Sequence, residues 1–89
     1  MKEVNKEIIF LCNEIKENTE KNKKSILGLK YPIHIEKGNY KKSIQSININ
    51  KEVKAFPEPN SIRLLSENEE YIIPLSNIIG LYSINKEDN

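Results

Sequence analysis

One cysteine, one histidine, nine lysines between positions 21 and 54 and a cluster of glutamates near position 70 are the side chains through which this 89-residue chain can do chemistry. Cys12 as a nucleophile needs a base to take its proton, and His34 is the only histidine present. His34 alternates with apolar residues and falls beside Glu36, as expected of a solvated histidine on the polar side of a strand. A metal site needs about three or four converging ligands, and beside His34 this chain offers only scattered carboxylates. No glycine-rich phosphate loop, Ser/His/Asp set or catalytic pair of carboxylates can be traced. The expectation is therefore a protein with no catalytic residues, no metal and no cofactor, in which Cys12 is a small core residue. A single cysteine also excludes an internal disulfide framework.

What remains is charge. The net value of +1 conceals a segregation along the chain. Residues 1–20 hold three lysines against five glutamates, and residues 21–54 hold nine lysines against Glu36 and Glu52. Residues 55–89 hold Arg63 and Lys86 against six acids. Two chemistries follow. Lys21, Lys23, Lys24, Lys30, Lys37, Lys41, Lys42, Lys51 and Lys54 are candidate phosphate contacts for a nucleic acid. Tyr31 and Tyr40 lie within the same segment as possible stacking platforms, although their parity with Ile33 and Ile44 assigns them to the packed face. With one arginine in the chain, such binding would follow the backbone with little base preference. Alternatively, Glu67, Glu69 and Glu70, with Glu58, form an acidic hairpin able to dock on a basic protein. A solubilising turn that discourages edge pairing would have the same composition.

The elements that must position these groups are readable from periodicity. Val4, Ile8, Leu11 and Ile15 recur at helical spacing, with Cys12 four residues after Ile8, so residues 1–22 read as an amphipathic helix. Ile9 and Phe10 widen its apolar stripe. Glu17–Lys21 and Glu20–Lys24 have the spacing of favourable i,i+4 pairs. Asn22, Ser25 and Gly28 end the pattern, and from Leu29 the period becomes two: Leu29, Tyr31, Ile33 and Ile35 against Lys30, Pro32, His34 and Glu36. Pro32 requires an edge strand or an outward-facing position. Lys37-Gly38-Asn39 is a turn, since Gly and Asn tolerate positive φ. Tyr40–Ala55 is β-prone, with a change of phase near Gln45-Ser46 of the kind a bulge or bend leaves. Phe56–Asn60 reads as a proline-fixed loop. Ile62–Leu65 and Tyr71–Leu75 form a second hairpin, Ser76 is a plausible cap for one helical turn, Gly80 restarts an extended segment, and residues 85–89 are a polar tail.

Ile33-x-Ile35-x-x-Gly38 with Ile44 and Ile47 is similar to the first block of Sm-like domains. Tyr71-Ile72-Ile73-Pro74, through Leu75-Ser76-Asn77, into Gly80-Leu81-Tyr82 is similar to their strand, single helical turn and last strand. The chain thus resembles the small SH3-like or Sm-like barrels over residues 29–84. It lacks a second glycine after Gly38 and the RNA-binding loop motif expected at Leu75-Ser76-Asn77, so the resemblance implies a fold rather than a function. Lys30-Tyr31-Pro32-Ile33-His34-Ile35 and Ile73-Pro74-Leu75-Ser76 also resemble two strands of the competence transcription factor family, which would imply DNA binding.

The expected architecture is a single α+β domain over residues 1–89. Its N-terminal helix packs on a strongly bent antiparallel sheet or SH3/Sm-like barrel of about five strands spanning 29–84. The expected function is a non-enzymatic protein-interaction module: an adaptor, an inhibitor or an assembly subunit such as phages and plasmids encode in bacteria. The alternative is a nucleic-acid-binding regulator using the 21–54 lysines. Self-association through an edge strand suits either. No apolar run reaches the roughly 20 residues that span a bilayer, and Glu3 and Glu7 interrupt any secretory leader. A cytoplasmic protein without a membrane partner is therefore expected.

Overall fold

The computed structural model describes residues 3–67 and 69–84, apart from the side chains of Lys37 and Ile84. Asn68 of the acidic turn and the polar tail lie outside the described residues.

Helix α1 (Lys6–Glu20) starts where a side chain can cap it. Asn5 Oδ1 accepts the Glu7 amide at 2.8 Å, satisfying one of the donors left over at a helix start. The Asn5 amide itself donates to Pro59 O (2.9 Å), which ties the helix start to a distant loop. At the other end Asn22 takes φ +58°. Its amide reaches Thr19 O, and the Lys23 amide reaches Asn18 O. That pair of bonds is a Schellman closure with Asn in place of the usual Gly. The turn carries the chain off the helix axis, and Lys24 becomes the first residue of a strand. The i,i+4 geometry for Glu20–Lys24 is thereby lost, and neither helical Glu–Lys pair closes to ion-pair distance among the described residues. Ile8, Cys12 and Ile15 are buried along one stripe, with Leu11 and Val4 partly so. Ile9 and Phe10 do not extend it: Phe10 is 66% exposed.

Among the described residues six strands follow: β1 (Lys24–Lys37), β2 (Tyr40–Ile49), β3 (Lys54–Pro57), β4 (Ser61–Leu65), β5 (Glu70–Pro74) and β6 (Ile78–Ile84), with a 3-10 turn at Leu75–Asn77. They form two three-stranded antiparallel sheets, β2-β1-β6 and β3-β4-β5. The fold is α+β as expected, but a closed five-stranded barrel is not what forms. The stretch Tyr40–Ala55 is cut in two by a turn at Asn50–Val53. There Asn50 Oδ1 accepts the Glu52 amide (2.8 Å) and Asn50 O accepts the Val53 amide (3.0 Å). An Asx turn of this kind gives the backbone an alternative to the ladder, so β2 and β3 enter different sheets.

β1 begins five residues before Leu29, because Ser25, Leu27 and Leu29 already alternate inward while β6 and β2 pair on either side. The phase change lies opposite the expected place. Gly28 pairs with Ser46 and Ile33 with Ile44, so residues 29–32 of β1 face only Gln45 of β2. Pro32 sits in this interruption and removes no ladder bond, which is how a proline fits a strand flanked on both sides. The Asn77 side chain repairs the gap: Oδ1 accepts the Tyr31 amide (2.7 Å) and Nδ2 donates to Tyr31 O (3.2 Å). The bulge also turns Tyr31 out of the packed face that parity assigns it, leaving it 68% exposed. Tyr40, at the hairpin end, is likewise exposed. Gly38 holds φ +60° in the turn between β1 and β2.

The second hairpin forms as read, but Phe56 and Pro57 belong to β3 rather than to a loop. The reversal is tighter, closed by the Glu58 amide on Ser61 O (3.0 Å). Asn60 O also accepts the Leu75 amide (2.9 Å). Ser76 lies inside the 3-10 turn, whose preceding residue, Pro74, offers no capping side chain. One core unites the parts: Ile8, Cys12 and Ile15 of the helix meet Leu27, Leu29, Ile47 and Ile49 of the first sheet and Ile62, Leu64 and Ile73 of the second.

Candidate functional site

A concavity lies between α1 and β3, a groove of about 360 Å³. One wall is the helix stripe Ile9, Cys12, Asn13, Lys16 and Thr19, and the other is the chain from Val53 to Pro57. Periodicity explains the helix wall: these positions lie next to the buried stripe, three or four residues apart. The strand wall exists because β3 is an edge strand, paired with β4 alone. Ala55 points inward and Phe56 outward, yet both line the hollow, so it runs along the strand's edge rather than over a face. Lys16 and Lys54 are the charged residues of this lining, and no carboxylate joins them.

Phe56 is held in place from the outer face. Arg63, its cross-strand partner, stacks its guanidinium 4.9 Å from the ring centroid. Arg63 is in turn held by Glu70 (Nη1–Oε2, 3.1 Å) and Glu58 (Nε–Oε2, 3.6 Å). Glu58 Oε1 also accepts from Ser61 Oγ at 3.0 Å. The acidic hairpin is therefore not a uniform free surface. Glu70 is engaged with Arg63, Glu69 is half-buried with its carbonyl receiving the Ser66 amide (2.9 Å), and Glu67 projects at the turn. Sequence reading missed the groove because its walls come from segments some 40 residues apart. The signal present was the pair of apolar residues, Ile9 and Phe56, left over by the core periodicity.

The nine lysines divide. Register pairs Ser25 with Ile49, so Lys21, Lys23, Lys24 and Lys51 gather at one end of the first sheet. Lys37, Lys41 and Lys42 lie at the opposite end, where Glu36 faces Lys41 across the ladder. Lys24 and Lys37 are the two ends of β1, with twelve residues between them, roughly 40 Å at about 3.3 Å per residue if straight. Lys30 stands in the bulge between them, its carbonyl receiving Gln45 Nε2 at 3.4 Å, and Lys54 is on the groove. The structure thus divides the lysines between the two ends of β1 instead of gathering all nine in one place.

His34 Nδ1 lies 3.0 Å from Ser43 Oγ on the exposed side of the β1–β2 hairpin. Among the described residues no group of three or more His, Cys, Asp or Glu is placed to hold a metal ion, and no helix is long and apolar enough to cross a membrane. Cys12 is buried in the groove wall, and burial raises its thiol pKa by penalising the thiolate. The sign is clear: a group whose folded pKa exceeds its unfolded value adds stability below the unfolded pKa and loses it as pH climbs through the folded one. Its contribution is thus intact at neutral pH and lost only as pH rises above the ordinary thiol range and through the raised folded value. Alkylation of Cys12 by iodoacetamide at pH 7.5 is expected to run at least tenfold slower than in urea-unfolded chain; equal rates would contradict a buried thiol. Searched against protein-family models, curated proteins and solved structures, the chain matches none.

Proposed function

We propose that this protein is a small non-enzymatic protein-interaction module, acting as an adaptor, inhibitor or assembly subunit, and that it binds its partner on the α1–β3 face. The observation that carries this reading is the apolar groove with Ile9 and Phe56 on its walls and the exposed Phe10 on the adjoining helix surface. Its volume falls at the lower end of the range of ligand pockets, about 300–1,000 Å³. Apolar side chains gathered at one concavity favour docking more than the same residues scattered would. Glu58 and Glu70 serve this face indirectly, through Arg63 and the Phe56 ring. The test is selection from a random-peptide display library on immobilised protein. Selected peptides are expected to bind the Ile9→Ser/Phe10→Ser variant at least tenfold more weakly, with its urea midpoint little changed because both side chains are already exposed. Failure to enrich any peptide, or enrichment of peptides indifferent to the double variant, would sink the reading.

The finer fold reading we propose is an open relative of the SH3/Sm-like barrels. It is supported by a central β1 flanked by β2 and β6, and by the passage from β5 through a 3-10 turn into β6.

A second reading, nucleic-acid binding, gains support from one observation: Tyr31 and Tyr40 are exposed on the hairpin that carries Lys41 and Lys42. With two or three lysines engaged, affinity would fall with log salt at a slope of about −2 to −3, at roughly 0.9 per duplex contact. Titration of labelled single- and double-stranded oligonucleotides decides it: affinity weaker than about 100 μM at low salt removes this reading.

A further inference from the structure

We propose that the α1–β3 groove takes an extended acidic-apolar peptide segment of another protein, added as a fourth strand along the free edge of β3. The inference rests on the protein-interaction reading and names the chemistry of the partner.

Three features converge on it. The first is the backbone. β3 pairs with β4 on one side only, and Pro57, which has no N–H, is tolerated in a strand where that position faces away from the ladder. N–H and C=O groups alternate sides residue by residue, so Ala55, two before Pro57, directs its own pair to the same free side. Among the described residues no backbone bond outside the sheet uses the Ala55 groups. An extended peptide supplies the matching donor and acceptor, as in other cases of strand addition to an exposed edge. A detergent or fatty acid cannot.

The second feature is the apolar wall. Ile9, Cys12, Ile15, Val53 and Phe56 line the hollow beside that edge, so alternate side chains of an added strand have an apolar seat.

The third is charge. Lys16 and Lys54 flank the groove without a carboxylate among its lining residues, which favours acidic residues next to the apolar ones. Charge also disfavours a second copy in the same place. Its β3 would bring another Lys54 against Lys16 and Lys54, and another Pro57 that cannot donate. A lysine and a proline on an edge strand are devices that suppress self-pairing, and here they leave the edge open to a partner of opposite charge.

The probes are fluorescein-labelled octapeptides: one alternating Glu or Asp with Val or Leu, one with every acid replaced by Lys, and one acidic peptide N-methylated on alternate amides. The acidic peptide is expected to bind at least tenfold more tightly than the other two. Lys16→Glu/Lys54→Glu, a change at two exposed positions, is expected to invert the preference in favour of the lysine peptide while the urea midpoint moves little. Amide shifts on titration should centre on residues 53–57 and the 9–19 face of α1. Equal binding of acidic and basic peptides, indifference to N-methylation, shifts centred elsewhere, or self-association that buries β3 would each overturn the inference. The two ideas fail separately. If display selection enriches no peptide, the interaction reading falls with this one. If it enriches basic peptides, or peptides that the Ile9→Ser/Phe10→Ser variant binds more weakly but that tolerate N-methylation, only the present inference falls.

Discussion

Leu64→Ala is expected to lower the unfolding free energy by about 2–5 kcal/mol, the range for truncating a fully buried leucine where the surroundings cannot collapse onto the space. Leu64 has no exposed surface and lies in the middle strand of the second sheet, paired with Ala55 of β3 and Tyr71 of β5. Strands on both sides hold its walls apart, so the cavity term applies in addition to the lost transfer energy. A chain of this size is stabilised by only about 4–13 kcal/mol, at roughly 0.05–0.15 per residue, so this one change consumes a large part of the total. At a urea dependence of about 1–3 kcal/mol/M the midpoint falls by at least about 0.7 M. Leu65→Ala is the control. It removes the same atoms from a half-buried position on the outer face and should cost clearly less. Leu64→Met, which conserves volume, should cost less than about 1.5 kcal/mol. Equal midpoints for the two alanine variants would contradict the placement of the core between helix and sheets.

Ser25→Ala is expected to act in the opposite direction, raising stability by about 1 kcal/mol. Ser25 is 1% exposed, flanked by Ile49 of β2 and Ser83 of β6, and its Oγ has no hydrogen-bond partner among the described residues. A buried hydroxyl left unpaired costs about 1–3 kcal/mol of desolvation. Alanine keeps the Cβ and deletes only the oxygen, so the change relieves that cost with little loss of packing. Ser25→Val tests the space around it: a bulky residue in a filled core should lose stability through overpacking. Equilibrium unfolding of the three proteins decides the matter. A Ser25→Ala variant less stable than the parent would mean that the hydroxyl is bonded in solution.

Much of the local structure was legible in the residues. The stripe Ile8, Cys12, Ile15 marked the buried side of α1, Gly38 marked the turn between β1 and β2, and Ser66–Glu69 marked the second hairpin. Each of these depends on neighbours in the chain, so sequence patterns report them directly. Ser25 shows where that reasoning ends. After a helix it read as a breaker, yet it is the first inward residue of a central strand, because β2 and β6 supply partners that a local pattern does not contain. Tyr31 is a second case. Parity assigned it to the packed face, and residues 29–32 bulging opposite Gln45 turned it to solvent.

The candidate site was less legible still. The lysines were identified as residues but not as a surface: a strand of fourteen residues holds one group away from the other, which linear charge cannot register. The acidic hairpin was identified as charge, while its attachment through Arg63 to Phe56 depends on β4 lying between β3 and β5. By itself, then, the sequence determined an amphipathic helix followed by β-structure, a net charge near zero divided into blocks, and an absence of recognisable catalytic motifs. Tertiary structure alone decided that the strands divide into two sheets at the Asn50–Val53 turn. It also decided that β3 ends as an edge beside α1, and that Ile9 and Phe56 meet across a groove. The physical reason is that helix and hairpins are specified by contacts a few residues apart. Edges, grooves and shared faces arise only when distant segments compete for one core too small to bury every apolar side chain.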